Sequence, residues 1–170
     1  RDGFALLGAG IFNDGAGATV DVSGSTFVGN VGFAGGSGIY NRAAATVSRS
    51  TVDQISNVDP GILTLAESSV TGGGIENSGT LVIDRSSVAG NFNGILQWGS
   101  GPVATVSSST LSGNSNAINA QRGSVSVVFS TITGNTTGIV TSGSGTAEVA
   151  ASIVAGNEGD DVAGPGFTSG

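Results

Sequence analysis

The stretch that decides the fold is GGGIENSGTLVIDRSSVAGN, residues 72–91. It contains five elements in order: a glycine triplet, an Ile-x-Asn motif, an alternating apolar run, a serine pair and a Gly-Asn pair. The same elements return in the same order along the rest of the chain. An internal repeat of this kind sets the architecture of the whole molecule.

Two motifs define the repeat. The Ile-x-Asn motif recurs, in full or degraded form, with spacings of 28, 16, 20, 20, 23 and 21 residues. Its seven copies are Ile11-Phe12-Asn13, Ile39-Tyr40-Asn41, Ile55-Ser56-Asn57, Ile75-Glu76-Asn77, Ile95-Leu96-Gln97, Ile118-Asn119-Ala120 and Ile139-Val140-Thr141. A Ser-x-apolar motif begins at Ser25, Ser50, Ser68, Ser86, Ser109, Ser130 and Ser152. Gly-Asn pairs follow five of these and end at Asn30, Asn91, Asn114, Asn135 and Asn157.

An alternating apolar pair precedes each Ser-x-apolar motif, as at Leu81 and Ile83. Alternation at period two is typical of a strand with one buried face, and no window has the 3.6-residue period of a helix. About three short strands per period predict a solenoid whose equivalent strands stack in parallel. Because parallel crossovers are nearly always right-handed, we predict an all-β, right-handed parallel β-helix. It would have about seven coils of roughly 21 residues in a single domain over residues 1–170.

Each repeated residue is expected to lie on its copy in the next coil. We predict that isoleucine fills the bore, that serine and asparagine form hydrogen-bonded columns at the corners, and that glycine supplies positive φ at the bends. Insertions at 30–36 and 98–102 are expected to be loops. Neither end of the sequence shows a cap. We therefore interpret the chain as a segment of a longer solenoid or a fibre subunit whose ends pair with copies of itself or adjoining coils.

Composition excludes several function classes. The chain has 31 glycines and a net charge of −7, with no lysine, histidine, cysteine or methionine. The charge argues against nucleic acid and anionic membranes as partners, and no window is long and apolar enough for a transmembrane helix. Without histidine or cysteine, the usual nucleophile pairs and zinc or haem sites cannot be built. We therefore expect no enzyme, no catalytic residue and no cofactor.

The repeats resemble a known family. GAGI (8–11), GSGI (36–39) and GGGI (72–75) alternate with FVGN (27–30), VAGN (88–91), LSGN (111–114), ITGN (132–135) and VAGN (154–157). This pattern resembles the GGxI and FxxN repeats of polymorphic-outer-membrane-protein-type (autotransporter passenger) domains. It also resembles other bacterial surface proteins built as right-handed parallel β-helices. The resemblance implies an extracellular or cell-surface location and a role in adhesion or scaffolding, and it supplies no catalytic residue.

Charged clusters provide two candidate sites. Arg49, Glu67 and Arg85 occupy one repeat position in successive coils and should form an outward ladder, with Asp84 alongside. Such a ladder is typical of surface ion pairing, although a polysaccharide lyase of this fold would use the same residue types. Four oxygen-bearing side chains near the C-terminus are calcium candidates, and otherwise they form a solvated acidic turn. These four are Asn157, Glu158, Asp160 and Asp161.

Three further features concern surface ligands. Phe12 and Tyr40 share an outward position, and with Trp98 they are candidates for sugar contact. Asn135-Thr136-Thr137 is a glycosylation sequon, so Asn135 is a candidate attachment site. An outward hydroxyl row could order water as an ice-binding surface, although threonine is also a common outward strand residue. The row comprises Thr26, Thr51, Ser69, Ser87, Thr110 and Thr131.

These features favour a non-enzymatic, extracellular structural or adhesive rod, with self-assembly into fibres compatible. The alternatives are a carbohydrate-active β-helix, acting as a lyase or a sugar-binding module, and an ice-binding solenoid. Surface glycans are then the expected partners besides further coils.

Overall fold

The computed structural model describes the backbone of residues 4–5 and all atoms of residues 10–32 and 38–170. Within these residues every regular element is a β-strand, and every strand pairing is parallel. The strands stack as a β-solenoid of about seven coils. This confirms the predicted fold class, whereas the right-handed winding stays a prediction from the chirality of parallel crossovers. At the usual spacing between strands, seven coils make a rod roughly 34 Å long.

The first of three faces, the isoleucine face, carries the Ile-x-Asn motifs. Its residues pair in one continuous register from Ile11 through Ile75 to Val162. Its strands are β2 (Ile11–Asn13), β6 (Ile39–Asn41), the C-terminal parts of β8 (Thr51–Asn57) and β10 (Ser69–Asn77), β13 (Asn93–Gln97), β16 (Asn116–Ala120), β19 (Thr137–Thr141) and β22 (Val162–Ala163).

The second face, the five-residue face, carries the alternating apolar pairs. Its strands are β3 (Thr19–Ser23), β7 (Ala44–Ser48), β9 (Ile62–Ala66), β11 (Thr80–Asp84), β14 (Val103–Ser107), β17 (Ser124–Val128), β20 (Thr146–Ala150) and the shorter β23 (Phe167–Ser169). The second and fourth residues of each five-residue strand point inward, as with the buried Leu81 and Ile83 of β11. The predicted alternation is therefore confirmed.

The third face, the threonine face, carries the Ser-x-apolar motifs. Its strands are β4 (Thr26–Phe27), the N-terminal parts of β8 and β10, β12 (Ser87–Ala89), β15 (Thr110–Ser112), β18 (Thr131–Thr133) and β21 (Ile153–Val154). Strands β1 (Phe4–Ala5) and β5 (Val31–Gly32) pair in parallel as a separate two-stranded sheet. Of the two predicted loops, 98–102 lies between β13 and β14, whereas residues 33–36 of the other lie outside the described residues.

The core is a column of aliphatic side chains from all three faces. Its largest fully buried members are isoleucine and leucine, among them Ile39, Leu65, Ile95 and Leu111. Each inward position stacks on a similar residue above and below, because parallel pairing keeps equivalent residues opposite one another. Burying such side chains contributes about 1.5–3 kcal/mol each and drives the coils together. The repeated isoleucine of the sequence is thus confirmed as the filling of the bore.

Candidate functional site

The structure assigns a hydrogen-bonded ladder to each of the three corners between faces. The amide corner joins the isoleucine face to the five-residue face, and its side chains are Asn13, Asn41, Asn57, Asn77 and Gln97. Asn41 Nδ2 donates to Asn57 Oδ1 at 2.8 Å, and Asn57 Nδ2 donates to Asn77 Oδ1 at 2.7 Å. Each amide also donates to a main-chain carbonyl of the next coil, as Asn57 does to Thr80 at 2.9 Å. This ladder ends after Gln97 because the next coil places Ala120 at the position.

The serine corner joins the five-residue face to the threonine face. Its seven serines are those that begin the Ser-x-apolar motifs. Each hydroxyl donates to the carbonyl two residues earlier, as Ser86 Oγ does to Asp84 at 2.8 Å. The same hydroxyl accepts the main-chain N–H of the preceding coil's serine, at 3.1 Å from Ser68 N to Ser86 Oγ. The predicted serine column is confirmed, and its hydroxyls join successive coils.

The glycine–asparagine corner joins the threonine face back to the isoleucine face. Asn91, Asn114, Asn135 and Asn157 form a ladder in which each Nδ2 donates to the next Oδ1 at 2.9 Å. The ladder ends on a carboxylate, since Asn157 Nδ2 donates to Asp161 Oδ1 at 2.7 Å. It begins at Asn91, whose Oδ1 is the one buried side-chain polar atom without a partner in the described residues. The preceding coil offers it no asparagine, because that corner is the glycine triplet 72–74.

The serine corner also carries the strongest candidate site. The residue before each serine has a left-handed backbone, and only the first coil places glycine there. Arg49, Glu67 and Arg85 occupy the position at φ of 47°, 50° and 45°. The remaining coils have Ser108, Phe129 and Ala151. This conformation costs an L residue roughly 1–2 kcal/mol. The sequence pattern missed it, although Gly24 in the same column is a signal for positive φ.

The charged residues of this corner are brought together as predicted, but not as an uninterrupted ladder. Arg85 Nη2 lies 3.2 Å from Glu67 Oε1 and 3.2 Å from Asp84 Oδ2. Arg49 forms no salt bridge with any carboxylate in the part of the chain that the structure describes. Because the Arg85 and Glu67 side chains are 60% and 51% exposed, their ion pair should add at most about 1 kcal/mol of stability.

A shallow groove of about 830 Å³ runs along this corner and crosses several coils. One wall holds Arg49, Glu67, Arg85 and Ser108, and the other holds outward hydroxyls of the threonine face. The register Thr51, Ser69, Ser87, Thr110 and Thr131 confirms that these hydroxyls form one row. The row begins at Thr26 and is continued beyond Thr131 by Ile153, which is 60% exposed.

The aromatic candidates for sugar contact separate into two places. Phe12 and Tyr40 stack with ring centroids 5.1 Å apart and an interplanar angle of 12°, which confirms their shared outward position. Trp98 lies three coils beyond Tyr40, where its main-chain nitrogen donates to the carbonyl of Asn77. It therefore does not extend the aromatic pair into one platform.

The C-terminal acidic residues and the sequon occupy constrained positions. Asp161 Oδ1 already accepts both the side-chain and main-chain N–H groups of Asn157. Among the described residues no group of three or more acidic, histidine or cysteine side chains is placed to hold a metal ion. Asn135 has no exposed surface, and its Nδ2 donates to Leu111, Thr133 and Asn157. Attachment of an oligosaccharide would require this buried amide to give up its three hydrogen bonds, and glycosylation at Asn135 stays a prediction.

Comparisons with known proteins place the chain in no family, since no family model, curated protein or solved structure matches it. The parallel β-solenoid rests on the structure itself, whereas the resemblance to polymorphic-outer-membrane-protein-type repeats stays a prediction. The described part of the chain holds no helix with the length and apolarity needed to cross a membrane.

Proposed function

We propose that this chain is a non-enzymatic, extracellular rod with a structural or adhesive role. The observation that supports this proposal most is that the buried polar side chains are hydrogen-bonded from one coil to the next. Apart from Asn91 Oδ1, every buried side-chain polar atom in the described residues has a hydrogen-bond partner, and the ladders bind one coil to the next. Hydrogen-bonded ladders that run along the rod axis are suited to rigidity. The absence of histidine, lysine and cysteine from the sequence agrees with a role without catalysis.

The bacterial surface location is part of the same proposal, and it rests on the resemblance of the repeats. Self-association is proposed for the outer coils. Strands β21, β22 and β23 each pair on one side only in the described residues. Each of these strands contains a partly buried apolar residue, namely Val154, Val162 or Phe167. Unpaired strand edges can add a further strand, so copies of this chain or adjoining coils are the proposed partners.

Two measurements on the purified chain test this proposal. Electron microscopy with light scattering should show straight rods that lengthen by whole multiples of one chain as concentration rises. Beads coated with the folded chain should adhere to glycan- or protein-coated surfaces, whereas beads coated with heat-unfolded chain should not. Monodisperse monomers at every concentration would remove the self-association proposal. Equal adhesion of both bead types would remove the adhesive role.

A carbohydrate-active role is the second proposal, and the polar groove at the serine corner is the observation in its favour. An ice-binding role is the third, supported by the hydroxyl row from Thr26 to Thr131. Serine takes the place of threonine in the row at Ser69 and Ser87, and Ile153 follows the row. Thermal hysteresis of the parent chain decides the third proposal, because a chain that leaves ice growth unchanged has no such surface.

A further inference from the structure

Two corners of the rod meet the same backbone requirement in opposite ways. The glycine–asparagine corner places glycine at its left-handed position in the five coils that contain Gly29, Gly90, Gly113, Gly134 and Gly156. The serine corner uses glycine once, at Gly24, and then keeps side chains at all six later positions. Since glycine adopts this conformation without steric cost, the side chains of the serine corner are retained against backbone preference.

Core packing does not explain why these side chains are retained. A Cβ atom built on Gly24 would meet no other atom within 4 Å, so this column faces open space. The side chains of Glu67 and Arg85 are more than half exposed. In the three coils that contain Arg49, Glu67 and Arg85, the column therefore places charged groups at the surface.

The charge of these side chains alternates along the groove, from Arg49 through Glu67 to Arg85. Arg85 lies between Glu67 and Asp84 and forms a salt bridge with each, so its positive charge is already compensated. Arg49 lies two coils away, roughly 10 Å along the axis, and keeps a guanidinium that no described carboxylate pairs. Glu67 stands between the two arginines as an acceptor. Along the groove lie, in order, the guanidinium of Arg49, the carboxylate of Glu67 and the salt-bridged guanidinium of Arg85.

The opposite wall adds hydroxyl groups at the same spacing. Thr51, Ser69, Ser87 and Thr110 repeat once per coil, so each coil offers one hydroxyl that donates and accepts. A ligand that uses this wall needs many hydroxyl or ether oxygens in a row. A ligand that uses Arg49 needs an acidic group, because guanidinium binds carboxylate with paired hydrogen bonds.

We propose that the serine-corner groove binds an acidic glycan chain that lies along the rod axis, with a carboxylate of the glycan on Arg49. Glycan hydroxyls then bond to Glu67, Arg85 and the hydroxyl row. This inference rests on the adhesive part of the proposed function and names its ligand class and site.

Calorimetric titration of the full chain with a hexameric uronic-acid oligosaccharide tests the site, with a neutral oligosaccharide of equal length for comparison. The acidic oligomer should bind at least about tenfold more tightly. Arg49→Gln should weaken its binding by about tenfold, the expected effect of one charge-assisted hydrogen-bond pair. Glu67→Gln should strengthen it, because a negative charge beside the ligand is removed. Arg122→Gln is the matched control, since Arg122 is exposed on another corner, and it should leave binding unchanged.

Four results overturn the inference: equal affinity for the neutral oligomer, equal weakening by the Arg122 control, equal binding of an acidic peptide, or no binding of the acidic oligomer. The bead assay distinguishes failure of the glycan-binding inference from failure of the proposed adhesive function. If Arg49→Gln beads adhere as the parent does, the groove is not the adhesive site, and adhesion by the rod stands. If parent beads adhere to no surface, the proposed adhesive function itself fails.

Discussion

Replacing Asn135 with alanine removes the amide from the middle of the glycine–asparagine ladder. Asn135 Nδ2 donates to Asn157 Oδ1 at 2.9 Å and to the carbonyls of Leu111 and Thr133 at 3.1 and 3.2 Å. Asn135 Oδ1 accepts from the main-chain and side-chain nitrogens of Asn114 at 3.0 and 2.9 Å. Alanine at this position loses all five contacts in a site with no exposed surface.

The hydrogen-bond partners of Asn135 differ in whether they keep another partner after the substitution. This difference sets the expected loss in the free energy of unfolding. Asn157 Oδ1 keeps the main-chain N–H of residue 135 at 3.0 Å, and Asn114 Nδ2 keeps the carbonyl of Val88 at 3.1 Å. The main-chain N–H of Asn114 loses the Asn135 Oδ1 acceptor in a buried position, which costs about 1–3 kcal/mol. Together with weakened bonds at the other partners, the expected loss in the free energy of unfolding is about 3–4 kcal/mol.

Equilibrium unfolding in urea, followed by far-ultraviolet circular dichroism, measures this loss. Asn119→Ala is the matched control. Asn119 points outward on the isoleucine face and has one long contact, 3.4 Å from its Nδ2 to Asn93 Oδ1. The control should cost less than about 0.5 kcal/mol. A loss below about 1 kcal/mol for Asn135→Ala, with an unchanged urea dependence, would refute the assignment of the ladder as a stabilising element.

Three further changes test other corners of the rod. Asn91→Ala should cost less than Asn135→Ala, about 1–2 kcal/mol in urea, because Asn91 Oδ1 has no partner to lose; an equal cost would contradict this. Phe129→Gly should raise the midpoint of thermal unfolding and add up to about 1 kcal/mol of stability, because glycine adopts the left-handed conformation of this 71% exposed residue without strain. A lower midpoint would show that contacts of the phenyl ring stabilise the fold by more than the strain costs. Arg85→Gln should cost at most about 1 kcal/mol, with the difference vanishing in high salt; a loss that persists in high salt would indicate more than surface ion pairing.

The ladders show how much of the repeat is predictable from the amino-acid sequence. The register of Ile11, Ile75 and Ile139 follows from spacing alone, because parallel stacking places each motif on its copy. The serine column is likewise predictable, since a small hydroxylated residue recurs before every outward threonine or serine. The two breaks in the amide ladders are also visible in the sequence, as the alanine at position 120 and the glycine triplet at 72–74.

The candidate site is only partly predictable. The sequence places Arg49, Glu67 and Arg85 in one column, but an alignment of repeats contains no backbone angles. Such an alignment cannot show that Arg85 forms salt bridges with both Glu67 and Asp84, while Arg49 forms none with a described carboxylate. Those salt bridges depend on the direction of each side chain at a left-handed corner. It also groups Trp98 with Phe12 and Tyr40, since chemical type carries no axial position.

The sequence by itself determined the class of fold, the number of coils and the residues that stack, because periodicity is a one-dimensional property that parallel pairing preserves. Only the tertiary structure decided which asparagines are buried. Asn135 has the sequence of a glycosylation site, yet the corner turns its amide inward to bond three neighbours. The tertiary structure also decided that Arg49, Glu67 and Arg85 line one shallow groove with the outward hydroxyls, because this depends on the direction of side chains at a left-handed corner.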